Sequence, residues 1–390
     1  MQIGIPKEIK NGEHRVALTP QSVVELVSAG HQLLVQCGAG MDSGYPDSDY
    51  QQAGALIVDQ ALDAWSSELV VKVKEPLPEE YPYLNADSAL FTFLHLAAFP
   101  ELTQKLLDNS VRSIAYETVQ LDDGRLPILA PMSKVAGRVA MLMAARFLQF
   151  GSFHGLSGAQ FDVQQKGMLM GGIKGVDACK VLILGGGNAG RHAACVATGL
   201  GAEVLILDCN KACIDDLNRR FDGKVHASLY SEPDLGVGLG AGPGEDLGLL
   251  LPEYDVVIGA ALIPGEYAPQ LISKAMIQTM QNGAVLMDIA IDQGGISETS
   301  RVTSYDDPVY VIDGVIHSCL PNLPASVPRS STQALAAASL TFVKVLASEG
   351  IEAAVENSVA LGRGVNTWDG EIRHAGVLKA FSASRHMDKV

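Results

Sequence analysis

Four groups of side chains stand where short apolar runs end. Glu13-His14-Arg15 follows the run Met1 to Ile5, and Lys72-Val-Lys74-Glu75-Pro76 ends a second run. His95 closes Leu90-Phe-Thr-Phe-Leu94, and Asp288-Ile-Ala-Ile-Asp292-Gln-Gly-Gly295 follows a later run. Together they offer cations, an imidazole and a carboxylate, an inventory suited to oxidising a small amino or hydroxy acid. Arg15 can hold a substrate carboxylate through two parallel hydrogen bonds, and Lys74 can add charge or polarise a carbonyl oxygen. His95 can move protons to and from an attacking water. Asp292 can hold ammonia or assist proton transfer, and Asn322 can orient a cofactor or substrate. Plainer readings stand beside these. A single Arg or Lys at a strand end is often a surface ion partner, His95 could be a hydrogen-bonded core histidine, and Asp-Gln-Gly-Gly also suits a turn. His154, His226, His317, Met168 and Met170 read as surface or packing residues.

The stretch from Lys180 to Asp208 supplies a cofactor cradle. The apolar run Val181 to Leu184 enters a turn in which Gly185, Gly187 and Gly190 fit G-x-G-x-x-G. A helix-like segment from Asn188 to Leu200 and a second run, Val204 to Leu207, lead to Asp208. The first glycine makes the tight turn, the second lets backbone approach a pyrophosphate, and the third lets helix and strand pack closely. The helix N-terminus presents unpaired N–H groups to the anion, and the closing acid can accept hydrogen bonds from ribose hydroxyls. The pattern points to a dinucleotide, NAD.

Alternating elements must carry these residues. Met1 to Ile5, Gln32 to Gln36, Ala55 to Val58, Leu69 to Lys74, Leu90 to Leu94 and Arg112 to Tyr116 read as strands. Helical patterns such as Gln21 to Ala29 and Leu102 to Asn109 lie between them, with Pro20 and Gly30 as start and stop. A long helix is expected over Lys134 to Phe150, with Ser133 as N-cap. A second series of strands follows: Val181 to Leu184, Val204 to Leu207, Val256 to Ala260, Val285 to Ile289 and Val309 to Ile312. The segment Leu235 to Gly244 is too glycine-rich for a helix and reads as a loop. A final helix over Thr332 to Ser348, apolar on every face, is expected to be buried between domains. The fold class expected is α/β: two doubly wound Rossmann-like domains separated by a cleft and joined by two long helices. Residues 1–128 with 330–390 would form a substrate domain, and 129–329 an NAD-binding domain.

Composition bounds the function. The 390 residues are 47% hydrophobic and 18% charged, with a formal net charge of −16, which argues against nucleic acid or an anionic membrane as partner. No apolar run approaches the ~18 residues of a membrane span, and a charge interrupts the first residues before a signal peptide could form. The six cysteines are scattered and read as free, mostly buried thiols in a reducing, cytoplasmic compartment. Cys209 and Cys213 are the one close pair, and a zinc site would need two more ligands nearby, so no metal is expected.

The residues also resemble the alanine dehydrogenase family, a relation of the alpha subunit of proton-translocating nicotinamide nucleotide transhydrogenase. The resemblance runs over nearly the whole chain, through Gly4-Ile-Pro-Lys-Glu-Ile-Lys-Asn11, Glu13-His-Arg-Val-Ala17, Val71-Lys-Val-Lys-Glu-Pro76 and Phe91-Thr-Phe-Leu-His-Leu-Ala97. It continues through Ile114-Ala-Tyr-Glu-Thr118, Ala130-Pro-Met-Ser133, Val135-Ala-Gly-Arg138, Asp288 to Gly295 and Pro324-Ala-Ser-Val-Pro328. It implies that Arg15 and Lys74 bind the substrate, and that His95 and Asp292 are catalytic. Ser133, Gly185, Gly187, Asn188, Ala189, Gly190, Asp208, Leu262, Ile289, Asp292 and Asn322 would line NAD, with Asp208 favouring it over NADP. The reaction implied is the reversible oxidative deamination of L-alanine to pyruvate and ammonia, by a homohexamer. The alternatives are a related dehydrogenase for another small amino or keto acid, a nucleotide-binding transhydrogenase alpha-like subunit, and a non-catalytic dinucleotide sensor. Departures from the family pattern include Lys134 for the usual Glu, Lys174 for Pro, and Leu320-Pro-Asn-Leu for Val-Ala-Asn-Met. Extra sequence lies around Ser152 to Gln165, and Asp234 to Gly248 replaces a helix-like stretch. All of these leave Arg15, Lys74, His95 and Asp292 in place.

Overall fold

A computed structural model describes residues 1–150, 165–230, 247–261 and 267–387. Among the described residues, fifteen strands form two sheets, of eight and of seven strands. The first series is β1 (Gln2–Ile5), β2 (Gln32–Gln36), β3 (Leu56–Val58), β4 (Leu69–Val71), β5 (Ala89–Thr92) and β6 (Arg112–Ala115). The second is β7 (Lys180–Leu184), β8 (Glu203–Asp208), β9 (His226–Leu229), β10 (Val256–Gly259), β11 (Val285–Asp288), β12 (Tyr310–Ile312) and β13 (Val315–Ser318). β14 (Val365–Trp368) and β15 (Glu371–Ile372) return to the first sheet. The chain divides into two compact units, Met1–Met132 with Pro324–Val390 and Ser133–Leu323.

The first sheet runs β15-β14-β6-β5-β4-β1-β2-β3, parallel from β6 to β3, with β14 and β15 antiparallel at the edge. Its strands are near-continuous apolar runs because helices cover both faces. One cluster packs Ile3, Ile5, Val35, Val71 and Phe91 with Leu335 and Val343 of the helix Pro328–Glu349. Leu90, Leu94, Leu102 and Leu106 form a second cluster with Trp65 and Val377. Strand order reverses between β1 and β4, and at such a point the ends of neighbouring strands diverge and open a crevice for ligands.

The second sheet runs β12-β13-β11-β10-β7-β8-β9, parallel except for β12. Its order from β9 to β13 is that of a dinucleotide-binding sheet, reversing between β7 and β10. This is the α/β class expected from the alternating runs. β9, β13, β14 and β15 were not anticipated, because polar residues interrupt them. In β13, His317 and Ser318 are both fully buried.

Three expectations need correction. Ser133 is not an N-cap: it lies inside the helix Leu129–Phe147. Pro131 falls in that helix's first turn, where a missing N–H costs nothing, so the helix begins ahead of Ser133. The helix Pro328–Glu349 is not buried all round: Leu335, Val343 and Leu346 are covered, while Gln333, Ala337, Thr341 and Ser348 are exposed. Its many Ala and Ser residues carry too little surface to require burial. Of the cysteines, Cys179 and Cys319 are buried, but Cys37 and Cys209 are exposed; all six are free. Leu262, His154 and the loop 235–244 lie outside the described residues. Among the described residues no single helix is long and apolar enough to cross a membrane.

Strand β4 ends three residues before the expected Lys74, and a buried acid explains why. β1 stops at Ile5 because Pro6 has no N–H to continue a ladder. Beyond it, Glu8 Oε1 accepts the Val73 N–H at 2.7 Å, in place of a strand partner. Glu8 Oε2 and Glu80 Oε1 receive Lys72 Nζ at 3.2 and 2.7 Å. Lys72 is 1% exposed; burial alone would lower its pKa, but the two carboxylates raise it above the usual lysine value. Lys72→Ala would strand two buried carboxylates without a countercharge. We expect a loss of about 3–5 kcal/mol of stability, read from the urea midpoint. A loss below about 1 kcal/mol would show that the network does not hold the fold.

Candidate functional site

Arg15, Lys74 and His95 follow the carboxyl ends of β1, β4 and β5, three neighbouring parallel strands. Arg15 is 2% exposed. Glu13 grips one edge of its guanidinium, taking Nε at 2.7 Å and Nη2 at 2.6 Å, and also accepts the Arg15 N–H at 3.0 Å. Nη1 reaches Met132 Sδ at 3.1 Å. The loop bearing Arg15 is fastened from far along the chain: the Val16 N–H donates to Thr332 Oγ1 at 3.1 Å, and Ser43 Oγ donates to the His14 carbonyl at 2.9 Å. Residues 324–390 thus help to build this site.

Lys74 is buried beside Glu75, and its carbonyl accepts Thr92 Oγ1 at 2.9 Å. Burial pushes the Glu75 carboxyl up, but Lys74 and Lys10 outweigh it and hold the pKa below the usual range. Glu75 Oε1 pairs with Lys10 Nζ.

His95 is half-buried and sits in the left-handed region, φ 51° and ψ 36°, where residues other than glycine are uncommon. Its ring lies parallel to Phe93, centroids 5.8 Å apart. Its backbone N–H donates to Glu117 Oε1 at 2.6 Å.

The second unit carries most of the remaining candidates at the carboxyl ends of its own strands. Gly185, Gly187, Asn188, Ala189 and Gly190 follow β7, Asp208 ends β8, Ile289 and Asp292 follow β11, and Asn322 follows β13. Gly185 has φ 103°, and a Cβ there would lie 2.6 Å from the Ala260 carbonyl oxygen. A Cβ on Gly190 would fall 1.9 Å from the Gly185 oxygen. At Gly187, by contrast, a Cβ would meet nothing within 4 Å. Two glycines are thus demanded by packing inside the turn, while the middle one fronts open space at the start of the helix Asn188–Gly199. That helix has no side-chain cap, so its first N–H groups face an anion's place. The turn therefore fits a pyrophosphate.

Asp208 does more than end its strand. Its Oδ2 accepts the Gly186 N–H at 2.7 Å and its Oδ1 the Asn210 N–H at 2.7 Å, clamping the turn to β8. Ser133 sits in the helix Leu129–Phe147, whose Gly137 packs against the Ala189 backbone. Asp292 is exposed in the short turn Ile291–Gln293. The buried Asp288 builds that loop by accepting the Ala290 and Ile296 N–H groups at 3.0 and 2.8 Å and Ser300 Oγ at 2.5 Å. Asn322 has φ 58°. His317 is a packing residue: Nδ1 donates to the Val315 carbonyl at 3.0 Å and Nε2 accepts Thr299 Oγ1 at 2.8 Å. Among the described residues no group of three or more His, Cys, Asp or Glu could hold a metal ion.

Glu8, Glu13 and Glu117 were missed as builders of the first unit's site. Glu8 and Glu13 stand in the Gly4–Asn11 and Glu13–Ala17 stretches and Glu117 in Ile114–Thr118, but their partners are set by the fold.

Comparisons with known proteins point to one family. A model for the N-terminal domain of alanine dehydrogenase/PNT matches residues 4–136, and one for the C-terminal domain matches 156–375. The alanine dehydrogenase of Staphylococcus epidermidis strain ATCC 12228 is 47% identical over 383 residues, 98% of this chain and 97% of that protein. That of Staphylococcus haemolyticus strain JCSC1435 is 48% identical over 382 residues, 98% of this chain and 96% of that protein. A solved L-alanine dehydrogenase is 43% identical with TM-score 0.86, covering 98% of this chain and 99% of its own. A transhydrogenase from Sinorhizobium meliloti shares the fold at TM-score 0.75 and 23% identity, covering 96% and 99%.

Two outcomes follow from packing and burial. Gly190→Ala should weaken NADH binding at least about 10-fold in a fluorescence titration, because the added methyl forces the turn open. Unchanged affinity would show that the turn carries no cofactor. Burial lowers the His317 pKa from 6.5 to about 4. An unfolded imidazole takes a proton near pH 6.5, so the stability from neutral His317 is present above 6.5 and lost as pH falls towards 4. The loss should reach about 3 kcal/mol. His317→Asn should remove that part of the pH dependence of unfolding; an identical pH curve would refute it.

Proposed function

The chain belongs to the alanine dehydrogenase/PNT family, and from that premise we propose that it catalyses the reversible, NAD-dependent oxidative deamination of L-alanine to pyruvate and ammonia. The observation that carries the reading is the placement of Arg15, Lys74 and His95 at the ends of three adjacent parallel strands. A guanidinium, an ammonium and an imidazole there match a small carboxylate whose α-carbon is oxidised. The family relationship makes the cofactor a nicotinamide, and Asp208 favours NAD, since its carboxylate would repel a 2′-phosphate.

The chain's own groups then have distinct tasks. Arg15, held in plane by Glu13, binds the substrate carboxylate, and burial strengthens the pairing by excluding water. Lys74 adds charge and, in the reductive direction, polarises the carbonyl oxygen of pyruvate. Gly185, Gly187, Asn188, Ala189 and Gly190 hold the pyrophosphate, Asp208 the adenosine ribose. Ser133, Leu262, Ile289, Asp292 and Asn322 complete the cofactor contacts. A nicotinamide held by these residues would supply the hydride acceptor for oxidation at the α-carbon. His95 takes the proton from water as it adds to the resulting iminium, and ammonia leaves. Asp292 is the second acid–base group, assisting proton transfer to the departing amine. Residues 1–128 with 330–390 carry the substrate groups and 129–329 the cofactor groups. The reading includes a homohexamer, supported by the family resemblance, and a cytoplasmic location, supported by the scattered free cysteines.

L-Alanine with NAD should give NADH, followed by absorbance, and NADP should serve poorly. Folded protein without NADH formation would overturn the reading. His95→Ala should lower kcat by about 10²–10⁴-fold while leaving NADH binding intact, and Asp292→Asn should lower kcat by a similar factor. Near-normal rates would remove those roles.

A further inference from the structure

We propose that Glu117 is a positioning residue for His95, acting through the backbone; this rests on the role assigned to His95 above. Three hydrogen bonds converge on the Glu117 carboxylate. The His95 N–H donates to Oε1 at 2.6 Å, and the Leu94 N–H lies 3.2 and 3.3 Å from Oε1 and Oε2. Two successive N–H groups that turn towards one anion form a concave nest, and His95 occupies the left-handed conformation such nests use. The carboxylate gives the main chain at His95, held at φ 51°, a hydrogen-bond partner.

The fold delivers this carboxylate to its place. β6 pairs with β5 in parallel, and past the strand the Tyr116 N–H still donates to the Thr92 carbonyl at 2.9 Å. Glu117 therefore lies beside Leu94 and His95. The next residue is anchored independently: Thr118 Oγ1 donates to the Gly364 carbonyl at 3.1 Å and accepts Asn366 Nδ2 at 2.8 Å. On the other side, Phe93 stacks on the imidazole at an interplanar angle of 4° and meets Tyr116 edge-on. The aromatic pair sets the plane of the ring, and the carboxylate sets the main chain from which it projects.

The test is a double-mutant cycle in the full-length enzyme. Glu117→Ala should lower kcat by about 100-fold, with KM for pyruvate and the Kd for NADH within about 3-fold of the parent. Glu117→Gln keeps an acceptor for the His95 N–H and should stay within about 10-fold of the parent. In a His95→Ala background, each Glu117 substitution should change kcat less than about 2-fold, because its target is already gone. Equal losses in both backgrounds would overturn the proposal. Should Glu117→Ala fail to fold, Glu117→Gln in the two backgrounds decides in the same way. Near-normal kcat for His95→Ala alone would remove the role of His95, and this inference with it. A large loss for His95→Ala with none for either Glu117 variant would remove this inference only.

Discussion

Much of the first unit's site rests on one carboxylate. Where β1 ends at a proline, its neighbour β4 loses a ladder partner, and Glu8 supplies the missing acceptor to Val73. The same side chain takes a buried ammonium, Lys72, which Glu80 also holds. Taking an ammonium and two carboxyl groups out of water is costly and is offset when each has hydrogen-bonding partners. A network of this kind tolerates little displacement. The segment after β4 is therefore fixed at the residues that lead into Lys74, next to the loop that bears Arg15.

The two units solve their positioning problems in different currencies. In the first, acids hold cations and main chain: Glu13 grips Arg15, Glu8 grips the β4 extension, and Glu117 grips the turn at His95. In the second, steric exclusion does most of the work. Gly185 and Gly190 have no room for a side chain, and Gly187 has room that is left open. Asp208 and Asp288 then tie the two loops by accepting backbone N–H groups. An anionic substrate calls for fixed cations, which need fixed anions behind them. A pyrophosphate calls for exposed amides, which need small residues.

Much of this was legible in the chain. Apolar runs such as Leu33 to Val35 and Val204 to Leu207 named the parallel strands, because a strand buried on both faces is apolar along its buried length. The strand ends then offered Arg15, Lys74 and His95 as candidates. Local pattern failed where partners are distant. β13 escaped because His317 and Ser318 look like loop residues until Thr299 and the Val315 carbonyl are seen to satisfy the imidazole. Ser133 looked like a cap because it precedes a periodic run, but the helix had already begun at Leu129. Glu8, Glu13 and Glu117 carry no local mark that separates them from surface acids. Their meaning comes from Val73, Arg15 and His95, brought to them by the sheet or, for Arg15, lying two residues along the chain.

The tether from Val16 to Thr332 joins positions more than three hundred residues apart. The second unit is one uninterrupted stretch of chain, whereas the first is made of both ends. On the ribosome the segment carrying Arg15 emerges early, yet Thr332, to which its loop is tied, emerges only after the whole second unit has been made. Domains generally fold as units in the order of their synthesis. The second unit is thus complete while the first still lacks the stretch that begins at Pro324, and the loop that bears Arg15 is fastened near the end of assembly.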